Sequence, residues 1–449
     1  MFTGITEAQS AVMLPELKRN DSFIQINSDQ ETWIASLGIL TTPISAIFCG
    51  PFIDVFGRKK GLQLFFFTAG VGFGVIACAQ EVYHIYIGRL ICAFSVGLEV
   101  CAVIYLAEVS TKRQRSILFS IGSPAFTFGV TLTYIVGYFP WNIASAIYSL
   151  GCFIFFVLQW FTPESPSWLF KMGKIEDTRQ CLERLGRTPT AIQEELDSLR
   201  QSKEEGNEKV DFRTFLEPTV WKPFVLITIF HFIQCAAGLY DILYYTVDFI
   251  EKLGTSYDPL KVSILLASVR FLFNCSISTY FTSTVSRKKA TAISGFMMGV
   301  CYTGIGVYEY IYRDTTVAER SVQWVPITLI IVNVVTSTWG VLCLPWIMKG
   351  EIFPLKVRGV MTGAAFVAAS IFMFISIKIY DVWMDSLKIY GYVFSVAVPS
   401  FFAVYFGLFV LPETQNKTLY EIEKSFMPKK KILDSEAVKP HVETDSPTR

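Results

Sequence analysis

The feature that most constrains this chain is a series of apolar runs, many as long as the ~20 residues an α-helix needs to cross a bilayer. They fall at residues 1–17, 33–53, 61–80, 83–107, 117–138 and 141–162, then at 223–250, 260–284, 290–312, 324–348, 359–384 and 389–411. A polar stretch, 163–222, separates the two sets, and a polar tail runs to Arg449. Of the 449 residues only 17% are charged, against about 25% in soluble domains. Three soluble domains of ordinary size are therefore excluded. The spacing predicts an all-α membrane protein of twelve transmembrane helices. The first run is short at 1.5 Å rise per residue, so helix one is expected to continue before Met1, or the chain to be a shortened form.

Other classes fall away on charge and cysteine pattern. A formal net charge of +1 gives no basic field for nucleic acid. The ten cysteines are scattered with no Cys-x-x-Cys pair, and the three histidines lie far apart, so neither a metal site nor a disulfide framework is expected. No nucleophile, base and oxyanion donor assemble in the sequence, and no cofactor is implied. Gly70-x-Gly72-x-Gly74 has the look of a dinucleotide loop, but it lies inside an apolar run, where close helix packing explains it better.

Lysine and arginine in the short loops set the orientation. Arg58-Lys59-Lys60, Lys112/Arg113/Arg115, Arg287-Lys288-Lys289 and Lys349/Lys356/Arg358 mark one side as cytoplasmic, together with the middle stretch and the C-terminus. Asn20-Asp21-Ser22, on the other side, is the credible glycosylation sequon; the similar triplets at Asn274 and Asn416 lie in a span and on the cytoplasmic side. The expected units are a six-helix half at 1–162, a cytoplasmic linker with short amphipathic helices at 163–222, a second half at 223–411, and a partly disordered tail at 412–449.

The chain also repeats itself. Gly50 to Lys60 after the second run has a worn copy, Thr279 to Lys289, after the eighth. Glu108 with Arg115 recurs as Glu351 with Arg358, and Pro163-Glu164 recurs as Pro412-Glu413. Three features in one order at similar offsets indicate two halves in parallel orientation, with a solute site between them at mid-membrane. Glu108, Arg115, Glu351 and Arg358 then lie on the cytoplasmic rims of opposite halves. Pairs made across the rims would shut that side and separate when it opens; the plainer alternative is that each pair caps its own helix.

Gly50-x-x-x-Asp54-x-x-Gly57-Arg58-Lys59, Gly88-Arg89, Pro163-Glu164-Ser165-Pro166, Gln234-x-x-x-Gly238, Pro345-Trp346, Glu351-x-Phe353-Pro354-x-x-x-Arg358 and Pro412-Glu413-Thr414 stand in order along nearly the whole chain. Together they resemble the sugar-porter family of the major facilitator superfamily. Lys349-Gly350-Glu351-Ile352 and Lys378 give it the flavour of the insect trehalose/glucose group. The resemblance implies a major facilitator fold, sugar contacts at Gln234, Tyr245 and Trp346, with Tyr240 and Asn274 beside them, and a cytoplasmic gate of Asp54, Arg58, Arg89, Glu108, Arg115, Glu351 and Arg358. An amide grips hydroxyls as donor and acceptor, and an indole offers a flat apolar face. Several family contacts are replaced: Cys235, Tyr240, Ser123 and Ala369-Ser370 stand where polar sugar contacts are expected, and Val103-x-Tyr105 replaces the Pro-x-Tyr before Glu108.

Two charges depart from that pattern. Asp241 and Arg270 interrupt the seventh and eighth spans, where each isolated charge costs about 2.5–3.5 kcal/mol at mid-bilayer. They are expected to pair and line the cavity, or else to snorkel to an interface. His231, one turn before Gln234, is expected to be a hydrogen bonder rather than a proton carrier. The function that follows is facilitative transport of a hexose or trehalose across the plasma membrane by alternating access, with solute and lipid as the partners. The alternatives are a non-sugar solute, a proton-coupled symporter using Asp241 or Glu99, and a non-transporting solute sensor.

Overall fold

The computed structural model of the chain describes residues 1–19, 22–205, 212–278, 284–354, 357–415, 417 and 419–427. Asn20, the first five residues of the copy (279–283) and the tail after Met427 therefore lie outside the described residues, as do the side chains of Lys112, Arg113 and Arg115. Helices α1 (Phe2–Leu17), α2 (Ser28–Leu40), α3 (Thr42–Phe56), α4 (Arg58–Ala77), α5 (Val82–Gly97), α6 (Glu99–Val109), α7 (Lys112–Val136) and α8 (Trp141–Leu158) precede the linker. The linker holds α9 (Pro166–Lys171), α10 (Ile175–Arg184) and α11 (Pro189–Glu205). After it come α12 (Pro218–Ala236), α13 (Leu239–Tyr244), α14 (Thr246–Lys252), α15 (Pro259–Phe273), α16 (Arg287–Ile311), α17 (Trp324–Trp339), α18 (Leu344–Ile352), α19 (Arg358–Tyr405) and α20 (Leu419–Phe426).

Nine helical segments among the described residues are long and apolar enough to cross a membrane, and Ile121–Val136 is a shorter one. With the 16-residue α1, and with Arg358–Val410 counted as two spans, they make the twelve expected. The division of α19 is local: Lys388 has φ 55° and ψ 171°, between the runs expected at 359–384 and 389–411. Local chemistry sets the other ends. Asn27 and Gln30 form a capping box on α2, Thr111 and Gln114 form one on α7, and Asp258 caps α15.

Several spans break inside the membrane, and one of the breaks is bonded across the interface between the two sets of helices. The fourth divides at Leu98, between α5 and α6, and its counterpart, the tenth, divides between Trp339 and Leu344. The seventh breaks twice. Gly238 (φ 70°) and Tyr245 (φ −124°) flank α13, and the freed Tyr244 carbonyl accepts from Ser10 Oγ of α1 at 3.1 Å. Irregular backbone at this depth is tolerated because protein groups satisfy it.

Within residues 1–158, α4 packs on α5 and α8, and α1 on α7; within residues 218–410, α16 packs on α17 and α19. The two sets meet where α2 lies along α19, α7 along α15, and α1 against α13 and α14. Leu150, Ile154, Phe296 and Val398 stand on the outside, whereas Gln9, Arg89, Gln234 and Asp241 are buried. That is the inverse of a water-soluble surface. In the linker, Ile192 and Leu196 of α11 pack with Phe170 and Leu182, so the apolar side of this amphipathic helix is buried.

The glycine run in α4 is a packing surface. A Cβ on Gly72 would lie 2.6 Å from Cys92 Sγ and 3.0 Å from the Gly88 carbonyl oxygen. Gly72→Val is expected to push α4 from α5 and to destabilise the fold by about 1–3 kcal/mol. A lowered thermal transition of the detergent-solubilised protein checks this; an unchanged one contradicts it.

Candidate functional site

Polar groups concentrate at three levels along the membrane normal: the face that carries the linker, the middle, and the far face. At the linker face the first half forms a closed cluster. Arg58 at the start of α4 donates from Nε and Nη2 to the two Glu108 carboxylate oxygens, both at 2.9 Å, and from Nη1 to Asp54 Oδ1 at 3.2 Å. Ser165 Oγ also donates to Glu108. Glu164 Oε1 accepts from the backbone N–H groups of Arg58 (2.9 Å) and Lys59 (3.0 Å), an anion at a helix N-terminus. Gly57 permits this: its φ is 97°, and a Cβ there would lie 2.3 Å from Glu164 Oε2.

The second half repeats the constellation. Arg287 at the start of α16 donates from Nη2 to Glu351 Oε1 at 3.0 Å, and Thr414 Oγ1 donates to Glu351 Oε2 at 2.7 Å. Glu413 accepts from the backbone N–H groups of Arg287 and Lys288 at 3.0 and 3.4 Å. Burial pushes the Glu413 carboxyl up, but the N–H groups of Gln415 and Arg287 outweigh it and hold it below its ordinary value. Arg287, Glu351, Glu413 and Thr414 thus stand to α16 as Arg58, Glu108, Glu164 and Ser165 stand to α4.

In the middle, α12 and α18 meet. Gln234 Nε2 donates to the Leu342 carbonyl at 2.6 Å, a carbonyl freed by the break before α18. With the amide so oriented, Gln234 Oε1 accepts from His231 Nδ1 at 3.0 Å, so His231 carries its proton on Nδ1 and its buried Nε2 has no partner. Trp346 Nε1 donates to Tyr240 Oη at 3.0 Å, and the Lys349 ammonium lies 3.7 Å from the Trp346 ring centre. Asn274 reaches across the halves, donating to Ser123 Oγ at 2.8 Å. Tyr134 of α7 donates to Thr246 Oγ1 at 2.8 Å. A cavity of about 40 Å³, lined by Tyr134, Thr246, Arg270, Asn333 and Leu342 among others, has room for a water or two.

At the far face, ion pairs cross between the halves. Lys18, just after α1, bridges Glu31 Oε1 of α2 at 2.6 Å and Asp248 Oδ1 of α14 at 3.2 Å. Burial disfavours the Lys18 charge, but the Asp248 and Glu31 carboxylates outweigh it and raise its pKa. Lys378 of α19 meets Asp29 Oδ1 at 3.1 Å and Thr32 Oγ1 at 2.7 Å, with its ammonium over the Trp33 ring. Tyr245 belongs to this region: it stacks on Tyr380 at 4.3 Å, and Tyr380 donates to Asp248.

Three sequence expectations need correction. A fourth, pairing across the rims, belongs to a state shut at the linker face; here Glu108 and Glu351 bond Arg58 and Arg287 of their own halves, whose helix starts lie within reach. Arg358 turns back on its own helix start, donating to the Phe353 carbonyl at 3.3 Å. Arg89 is fully buried and donates to the carbonyls of Thr6 (2.8 Å) and Ile34 (3.1 Å), so it ties α5 to α1 and α2 and stands apart from the rim. Asp241 and Arg270 do not pair. The Asp241 carboxylate is saturated by Ser376 Oγ (2.6 Å) and Tyr392 OH (3.0 Å) inside the second half, while Arg270 faces the cavity with Nε unpartnered. The far-face lysines and Lys349 were not singled out as site residues; lone charges at span ends or within spans were the available signal.

The profile of the family described as "Sugar (and other) transporter" matches residues 4–426. The facilitated trehalose transporter Tret1 of Apis mellifera ligustica is 26% identical over 95% of this chain and 86% of its own length. The Bombyx mori protein of that name is 27% identical over 89% and 80%. The Drosophila mojavensis protein is 25% identical over 98% of this chain, which spans about half of that relative's length. Among solved structures, the inward open xylose transporter XylE from E. coli superposes with TM-score 0.76, at 20% identity, over 94% of this chain and 97% of that one. XylE bound to 6-bromo-6-deoxy-D-glucose gives 0.72 at 21% identity, covering 95% and 97%. At that identity the likeness carries the fold.

Because Asp241 is bonded by Ser376 and Tyr392 while Arg270 faces the cavity apart from it, their effects are expected to add. In a double-mutant cycle of Asp241→Asn and Arg270→Gln read by stability, the interaction energy should stay within about 0.5 kcal/mol. A coupling above about 1 kcal/mol would restore the ion pair.

Proposed function

The chain belongs to the sugar (and other) transporter family, and from that premise we propose that it moves a sugar of hexose or trehalose size across the plasma membrane by alternating access. Residues 1–162 and 223–411 act as the two moving halves, joined by the linker at 163–222, with the C-terminal tail at 412–449. The linker face is the cytoplasmic one, on the distribution of lysine and arginine.

One observation carries the reading. Arginine–carboxylate clusters at the linker face bind each half to itself, while Lys18–Asp248 and Lys378–Asp29 join the halves at the far face. Rigid halves fastened at one end are one state of a rocking carrier, here closed to the outside and free to part on the cytoplasmic side. The seat of the solute lies where Gln234, Tyr240 and Trp346 converge, with Asn274 at the seam and Tyr245 in the outer closure. Each of these polar atoms now bonds protein and can be released to a hydroxyl. Transport is facilitative: Asp241, a candidate coupling carboxylate, is sealed inside one half by two hydroxyl donors. Relatives named as facilitated trehalose transporters support the sugar class.

The test is uptake of labelled trehalose and glucose by the purified full chain in proteoliposomes. Equilibrative uptake that is indifferent to a collapsed pH gradient is expected; its absence for every sugar would end the reading. The outer closure makes a second prediction. Lys378→Glu places two like charges together at Asp29 and should open the far face, raising the labelling of a cysteine placed at Thr32. Exposed or half-exposed pairs contribute only about 0–1 kcal/mol, so the protein should stay folded. Labelling equal to that of the parent would remove Lys378 from the closure.

A further inference from the structure

The charges beside the cleft are sorted by half. Two cations come from the second half. Lys349 on α18 is 8% exposed, lies over Trp346 at 3.7 Å and Phe366 at 4.9 Å, and has no carboxylate in contact among the described residues. Arg270 on α15 lines the small cavity, its buried Nε without a partner. Two carboxylates come from the first half, Glu7 on α1 and Glu99 at the start of α6. Glu99 lies within electrostatic reach of Lys349 and of Glu7, and Glu7 within reach of Arg270 and of Arg89 in its own half, yet among the described residues Lys349, Arg270, Glu7 and Glu99 make no ion pair.

Lys349 decides what this arrangement can hold. A neutral sugar ring would stack on the Trp346 face, but the ammonium already covers it as a cation–π partner. A buried cation without a counter-ion is unfavourable, so an incoming anion is the ligand that gains most there. A carboxylate would draw the ammonium from the indole into a charge-assisted hydrogen bond and clear the ring face for the sugar. Arg270 adds positive potential from the neighbouring helix. Glu7 and Glu99, acceptor-only when ionised, suit the hydroxyls at the other end of the solute.

We propose that the cleft selects a sugar acid, a pyranose-sized ring bearing a carboxylate, over neutral sugars, with Lys349 as the specificity-determining residue. The inference rests on the transporter reading and narrows its substrate class. Contact with both walls would also make such a solute the bridge that draws the halves together.

The experiment compares uptake of D-glucuronate and D-glucose by the reconstituted full chain, with Lys349→Met and Lys349→Arg as variants. Thermal shifts with each sugar are read in detergent alongside. Methionine keeps the unbranched apolar body and removes the charge. The parent should favour glucuronate by at least about tenfold, Lys349→Arg should keep the preference, and Lys349→Met should lower the glucuronate-to-glucose ratio by about tenfold or more. A ratio at or below one in the parent, a ratio unchanged in Lys349→Met, or a preference for glucosamine over both sugars would overturn the proposal. If no sugar is taken up at all, the transporter reading fails. The thermal shift then decides the binding inference alone: stabilisation by glucuronate that Lys349→Met abolishes supports it, and equal or absent stabilisation overturns it.

Discussion

Each charge in a membrane-spanning chain must find a partner or an aqueous cavity, and where those partners lie decides which parts can move. Here the strongest arrangement, a bidentate arginine–carboxylate pair, stays inside the first half at Arg58 and Glu108, and its counterpart stays inside the second at Arg287 and Glu351. Both clusters also fix a helix start to the chain that follows the half's last span, through Glu164 and Glu413. Each half is thereby made one body at the linker face. The contacts between bodies are of another kind: lysine ammonium groups on flexible stems, the Asn274 amide, and the hydroxyls of Ser10 and Tyr134. Such contacts can be exchanged for solute or water at small cost, as a two-state carrier requires.

The interrupted spans complete that division. Breaks at Leu98, Gly238, Tyr245 and between Trp339 and Leu344 leave carbonyls at mid-membrane that only a polar neighbour can satisfy. Gln234 takes the Leu342 carbonyl and Ser10 takes that of Tyr244. Backbone geometry thus sets where polar side chains are needed: Gln234 answers a break within the second half, and Ser10 answers one across the seam.

Most of the fold could be read from the residues. The apolar runs marked the twelve spans, with the unlike pair 359–384 and 389–411 resolved to the Lys388 kink. The repeat was visible because the same three features recur in order, and the structure gives it a physical content: equivalent residues make equivalent bonds. Partner choice was not readable. Glu108 and Arg115 share a spacing with Glu351 and Arg358, but the arginine that Glu108 bonds is Arg58, fifty residues earlier and adjacent only after α4 and α6 pack. Opposite charges in neighbouring spans suggest that Asp241 pairs with Arg270; two hydroxyls, Ser376 and Tyr392, meet the aspartate instead. Hydroxyl donors carry no charge and so leave no mark in a charge pattern. Lys18 and Lys378 matter because each faces a carboxylate across the seam, a relation between halves that no local window contains.

The central claim is that two rigid halves exchange closure between the two faces. It is tested most directly by double electron–electron resonance on the reconstituted protein, with spin labels carried by non-canonical amino acids. One pair would sit at the linker face, at Lys60 and Lys289, and one at the far face, at Glu81 and Asp314. Addition of a transported solute should shift the two distance distributions in opposite senses, while a control pair within one half, Lys60 and Glu81, stays fixed. Distributions that move together, or a control pair that moves as much as the cross-half pairs, would contradict the account.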